Sequence, residues 1–163
     1  MAITFNADEV LAMAEGIEAN GAAFYRKAAQ MHKSHSEFLL KLARMEDQHK
    51  QYFADMRKAL PLEMMEDTAF DPYLEAELYL KEAADSHKGE GSSVVTAALT
   101  GKERMDTILL TAIQLEEKSI AFYVGLKDMV PKKLGKDKVD DIINEEKRHV
   151  VTLAGELRKV QAS

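Results

Sequence analysis

Two Glu-x-x-His pairs, Glu46 with His49 and Glu146 with His149, recur in register within this 163-residue chain. Each follows another glutamate that opens a near-copy of one phrase. The first copy is Ile17-Glu18-Ala19-Asn20-Gly21-Ala22-Ala23-Phe24-Tyr25, and the second is Leu115-Glu116-Glu117-Lys118-Ser119-Ile120-Ala121-Phe122-Tyr123. The chain is therefore a tandem repeat in which each unit supplies one glutamate and then one Glu-x-x-His. Four carboxylates and two imidazoles in this arrangement are what a two-metal site in a helix bundle requires.

A single Glu-x-x-His carries little information, because glutamate is abundant here. The signal lies in the helix face on which the pairs fall. Apolar residues recur at helical spacing at Phe38, Leu42, Met45, Phe53, Met56 and Leu60, and Glu46 and His49 lie within that stripe. Val139, Ile142, Ile143, Val150, Leu153, Leu157 and Val160 form the matching stripe around Glu146 and His149. Glu18 shares a seam with Leu11, Ala14, Gly21, Tyr25 and Ala28, and Glu116 shares one with Leu109, Ala112, Ser119, Tyr123 and Leu126. Every long helix thus places a carboxylate at a core position. Burying an unpaired carboxylate costs several kcal/mol, and four that converge repel one another. No Lys or Arg occupies these stripes, so two divalent cations are the expected counter-ions. Oxygen-rich donors with one imidazole per metal suit iron or manganese better than zinc or calcium.

The elements that must position these residues are helical throughout. Only 3 Pro and 8 Gly punctuate the chain, and no strand-like alternation occurs. Asn6 with Glu9 predicts a capping box opening a helix that runs to about Met31. A short turn, His32 to Ser36, leads to a second helix ending near Leu60-Pro61, and so short a turn makes the pair antiparallel. A third helix is expected after Thr100 with Glu103 as capping partner, running to about Val130-Pro131. The Lys132–Lys136 turn leads to a fourth, from about Asp137 to Val160. The long connection from Pro61 to Thr100 is expected to hold a short amphipathic helix from Pro72 to about His87, with Lys88 to Ser93 as a flexible exit. The whole reads as one all-α domain over residues 1–163, a four-helix bundle of two antiparallel pairs joined by a long crossover.

Composition narrows the partners. A net charge of −6 and a pI near 5.4, with no basic run, argue against nucleic acid. Zero cysteines exclude disulfides, zinc ribbons and iron–sulfur clusters. The N-terminal residues lack the pattern of a signal peptide, and no apolar run approaches the ~20 residues of a membrane span. A cytoplasmic location without a membrane partner is the expectation. Several residues have a plain reading. Glu15, Glu117 and Glu145 point away from the ligand direction and are either solvated or supports behind the ligands. His32, His35 and His87 are expected at the surface, and the nine methionines read as core filling. Tyr25 and Tyr123 lie two turns from their glutamates on the same face; each either bonds a ligand carboxylate from a neighbouring helix or simply packs.

On the doubled Glu-x6-Tyr and Glu-x-x-His elements, residues 7–160 resemble the ferritin-like di-iron carboxylate superfamily, specifically its rubrerythrin-like branch. That resemblance implies terminal carboxylate ligands at Glu18 and Glu116, bridging ligands at Glu46 and Glu146, and one capping imidazole per metal at His49 and His149. It implies two iron ions, with manganese as the other candidate, and reaction with peroxide or dioxygen coupled to oxidation of ferrous iron. Two departures matter. No cysteine-bound iron module is present, so electrons would come from an external donor. Gly21 and Ser119 stand where rubrerythrins carry an extra glutamate, which weighs against efficient peroxide reduction. Asp47 stands where bacterioferritins have a haem-binding methionine, and the chain ends at Ser163 without their fifth helix, so cage storage is not expected. By analogy with the family a homodimer is. The functional readings are an oxidoreductase, an iron-handling protein without turnover, and a bundle whose metals are structural.

Overall fold

The computed structural model describes residues 6–62, 93–130 and 132–163. Helix α1 spans Ala7–Met31, α2 Ser36–Lys58, α3 Ser93–Ala98, α4 Met105–Met129 and α5 Lys136–Ala162, with single 3-10 turns at Lys33–His35 and Lys132–Leu134. No strand occurs among the described residues. The four long helices form two hairpins, α1 with α2 and α4 with α5, and the short α3 packs on α1.

Local chemistry explains most of the boundaries. The side chain of Asn6 accepts from Glu9 N at 2.9 Å while Glu9 Oε2 accepts from Asn6 N at 3.1 Å, so the expected capping box opens α1. Gly135, with φ 110°, supplies the left-handed residue that turns the chain into α5. The start of α4 differs from expectation. Glu103 does accept from Thr100, through both the backbone N–H and the hydroxyl at 2.8 Å, and from Gly101 N at 3.0 Å. This network closes a turn around Gly101, whose φ is 89°, rather than capping a helix. The helix begins only at Met105, after an extended Arg104. Helix α3 begins at Ser93, the last residue of the expected exit, and occupies a stretch of the connection for which no element was expected. The rest of that exit and the amphipathic helix expected over Pro72 to His87 lie outside the described residues.

The core divides into two apolar layers. One joins Leu11, Phe53, Phe122, Leu126, Val139 and Ile143, and the other joins Phe24, Leu39, Leu42, Ile108, Leu109 and Leu153. Along each long helix the segments that build these layers are separated by the residues of the repeat, Glu18, Glu46 with His49, Glu116, and Glu146 with His149. The polar groups therefore form a layer of their own, sealed above and below by hydrocarbon.

Candidate metal centre

All six side chains are buried: Glu18 is 1% exposed, Glu46 5%, His49 4%, Glu116 3%, Glu146 0% and His149 2%. They assemble as two overlapping groups. Glu18, Glu46, His49 and Glu146 each offer one donor atom to a set in which all lie within 4.8 Å of one another, and so do Glu46, Glu116, Glu146 and His149. Glu46 and Glu146 belong to both sets, while each set has one further glutamate and one imidazole of its own. The sharing follows from the topology: α2 and α5 face each other across the bundle and carry the Glu-x-x-His pairs, and α1 and α4 flank them.

The imidazoles aim at the middle of the layer. His49 Nδ1 lies 2.7 Å from Glu146 Oε1 and 3.5 Å from Glu18 Oε2. His149 Nδ1 lies 2.9 Å from Glu146 Oε2, 3.4 Å from Glu46 Oε1 and 3.5 Å from Glu116 Oε1. These atoms are close without being aligned for hydrogen bonding. Glu18 Oε2, Glu46 Oε1, both Glu146 oxygens and both Nδ1 atoms have no hydrogen-bond partner among the described residues. Buried polar atoms are nearly always paired, so donors that converge on a common point without bonding one another fit a cation between them. The site is therefore suited to two divalent metal ions by its donor chemistry, which is oxygen-rich with one imidazole in each set.

The two tyrosines cross between hairpins. Tyr25 of α1 donates to Glu116 Oε1 of α4, and Tyr123 of α4 donates to Glu18 Oε1 of α1. Of the two alternatives for these residues, the carboxylate partner is the one found, although the rings also pack, Phe53 on Tyr123 at 5.0 Å and Phe24 on Tyr25 at 5.7 Å. The phenol ties down one oxygen of Glu18 and leaves Oε2 facing inward. Burial, and then the charge of the partner carboxylate, raise both phenols well above their usual range, so they remain donors.

The field of the layer is strong. Burial raises the carboxyl of Glu18 well above the ordinary range, and Glu46 adds to it; burial does the same at Glu116, reinforced by Glu46 and Glu146. Burial would depress His49, but Glu146 and Glu18 override it and hold the ring up at about 11. At His149 burial is likewise outweighed, by Glu116, Glu146 and Glu46, to about 12. Glu146 opposes the trend. Burial would raise it, yet the two imidazoles pull it well below its usual value.

Two further residues shape the site. Gly21 follows Glu18 by one turn, and a Cβ there would stand 2.9 Å from Glu46 Oε2. The absence of a side chain at Gly21 is thus what admits the Glu46 carboxylate in its observed position. The Gly21 and Ser119 face carries a narrow cleft of about 20 Å³, which Tyr25, Glu46 and Glu116 also line. Glu145, left open between solvent and support, places Oε2 2.8 Å from His49 Nε2. Glu15 pairs with Arg57 at 3.5 Å away from the centre, and Glu117 is exposed. His32 and His35 are half-buried rather than at the surface, because the tight turn folds them against the bundle end, where His35 Nε2 lies 3.6 Å from Glu156; His87 lies outside the described residues.

The fold and the site together define a ferritin-like helical bundle with a carboxylate–histidine centre. A solved structure from Thermotoga maritima, described as that of a ferritin-like diiron-carboxylate protein, superposes with a TM-score of 0.72 at 22% sequence identity, covering 97% of this chain and 98% of that one. No family model and no curated protein matches the sequence. No helix among the described residues is long and apolar enough to cross a membrane.

Proposed function

We propose that this protein is a di-iron carboxylate oxidoreductase, rubrerythrin-like in its chemistry, that reacts with peroxide or dioxygen and oxidises Fe(II). The observation that carries the reading is the set of buried, unpaired donor atoms shared between two groups through Glu46 and Glu146. Glu46 and Glu146 would hold both irons, Glu18 with His49 one, and Glu116 with His149 the other. Iron bound there would supply the electrons, one from each ion, that a two-electron oxidant requires.

The chain's own residues do the rest. Tyr25 and Tyr123 orient the terminal carboxylates, so that little rearrangement accompanies a change in metal charge. The two apolar layers exclude bulk water from the centre. The cleft beside Gly21 and Ser119 is large enough for about one water-sized molecule, which suits peroxide or dioxygen. Reduction of peroxide to two waters consumes two electrons and two protons. Continued turnover therefore needs an external electron donor.

The test is metal analysis followed by single-turnover oxidation. Protein loaded anaerobically with Fe(II) should hold two irons per chain and consume about one peroxide per chain as a near-ultraviolet ferric absorbance develops. Repeated peroxide consumption with an added reductant would mark an enzyme. One round only would mark an iron-handling protein, and loaded protein that stays colourless in peroxide and air would leave a metal-stabilised bundle.

A further inference from the structure

The internal repeat provides a comparison within one molecule. The two halves of the centre match at Glu18 and Glu116, at Tyr25 and Tyr123, and at both Glu-x-x-His pairs, yet they differ behind the imidazoles. His49 Nε2 meets Glu145 Oε2 at 2.8 Å across the α2–α5 interface. His149 Nε2 is buried with no hydrogen-bond partner among the described residues. In the repeat, the position of Glu145, immediately before the Glu-x-x-His of α5, is held in α2 by Met45. Both residues are half-buried, and the burial pattern over 41–49 repeats over 141–149. The difference is therefore one of chemistry at a matched site. A carboxylate accepts the Nε2–H strongly, whereas a thioether is only a weak acceptor.

That bond has consequences for the ring. A proton held on Nε2 leaves the Nδ1 lone pair free for a cation, and an anionic acceptor raises the basicity of that lone pair. His149 receives neither effect from the α2 position that would supply them. We propose that Glu145 is a positioning residue that makes the two metal positions unequal, the Glu18–His49 position binding a divalent first-row ion more tightly than the Glu116–His149 position. This rests on the two-metal reading of the same centre. Partners of this kind typically change metal affinity 10–100-fold, enough to separate two binding steps that a symmetric ligand set would merge.

Co(II) alone serves as the probe, titrated into the full chain by calorimetry and by its visible absorption. The native protein should show two steps separated by about tenfold or more. Glu145→Ala should weaken the tighter step by about 10–100-fold and leave the other unchanged, closing the gap. Glu145→Gln, whose amide oxygen can still accept the Nε2–H, should retain most of the separation. Met45→Glu should tighten the weaker step, and His149→Ala should keep the tight step that His49→Ala loses. The helical circular dichroism of each variant reports whether it folds, and the half-exposed position of residues 45 and 145 favours that it does. Equal weakening of both steps in Glu145→Ala, or no effect on either, overturns the proposal while leaving the two-metal reading intact. Failure of the native protein to take up two Co(II) removes both.

Discussion

The Tyr25 hydroxyl on α1 donates to the Glu116 carboxylate on α4, joining the first hairpin to the second through a proposed ligand of the centre. Its counterpart, Tyr123 to Glu18, runs the opposite way. The bundle is thus closed across its hairpins by hydrogen bonds whose acceptors are also the proposed metal ligands, and stability and metal binding are linked through them. Tyr25→Phe keeps the ring but removes the donor from a buried carboxylate. A loss of about 1–3 kcal/mol in stability is expected, together with weaker binding of the metal that Glu116 is proposed to hold. Thermal melting and metal titration measure the two effects; a variant with unchanged melting would show that the bond contributes nothing net.

Glu46 and Glu146 enter both donor groups, whereas Glu18 and Glu116 enter one each. Glu46→Ala or Glu146→Ala should therefore abolish binding of both Fe(II) ions, and Glu18→Ala chiefly one. Anaerobic Fe(II) titration that still finds two sites in Glu46→Ala would exclude its bridging role.

Gly21→Ala sets two effects against each other. Alanine in mid-helix is favoured over glycine by roughly 0.5–1 kcal/mol, but its Cβ would meet Glu46 Oε2 at 2.9 Å. That oxygen ends a flexible side chain, so the fold should accommodate the change by moving the carboxylate. The expected variant melts no lower than the parent in chelator yet binds metal more weakly. Unchanged metal affinity would show that the Glu46 position observed is not the one the metals need.

The parts of this architecture that the sequence reveals are those with periodic or doubled signals. Glu18, Glu46, Glu116 and Glu146 stood out because carboxylates on apolar stripes are costly, and the repeat showed that the same cost arises twice. The turns at 32–36 and 132–136 were legible because few residues can connect long helices only as antiparallel neighbours. Glu103 was misleading. A Thr-x-x-Glu pattern satisfies backbone donors equally well in a turn, and the positive φ of Gly101 is a tertiary detail that the pattern does not encode. Glu145 could not be resolved from its own helix, since its partner, His49, comes from α2. Its only sequence trace was the broken symmetry between Glu145 and Met45, visible once the repeats are aligned residue by residue. The role of Gly21 was equally hidden, because a glycine in a helix shows neither what passes beside it nor how closely.

Protons and metal ions compete for the same side chains, which gives the centre a definite pH signature. The folded chain holds protons on His49 up to about 11 and on His149 up to about 12, against 6.5 for a free imidazole, and burial raises Glu18 and Glu116 as well. Groups raised on folding contribute stability that is full below their unfolded values and lost as the pH rises through the folded ones. In chelator, the histidine contribution should therefore decline from pH 6.5 towards pH 11, with the carboxyl contribution of Glu18 and Glu116 already falling above pH 4.5. Metal ions reverse the dependence. They need ionised carboxylates and neutral imidazoles, so binding releases protons and tightens as the pH rises. At a metal concentration 100 times the dissociation constant, binding adds about 2.7 kcal/mol to stability. The melting temperature in chelator should thus fall between pH 7 and pH 9, while the gap between metal-loaded and chelated protein widens. Weakly buffered protein should acidify on addition of Mn(II). Calorimetric melting across that range and a pH-stat titration measure both effects; a gap that narrows as pH rises, or metal uptake without proton release, would show that these six side chains do not hold the ions.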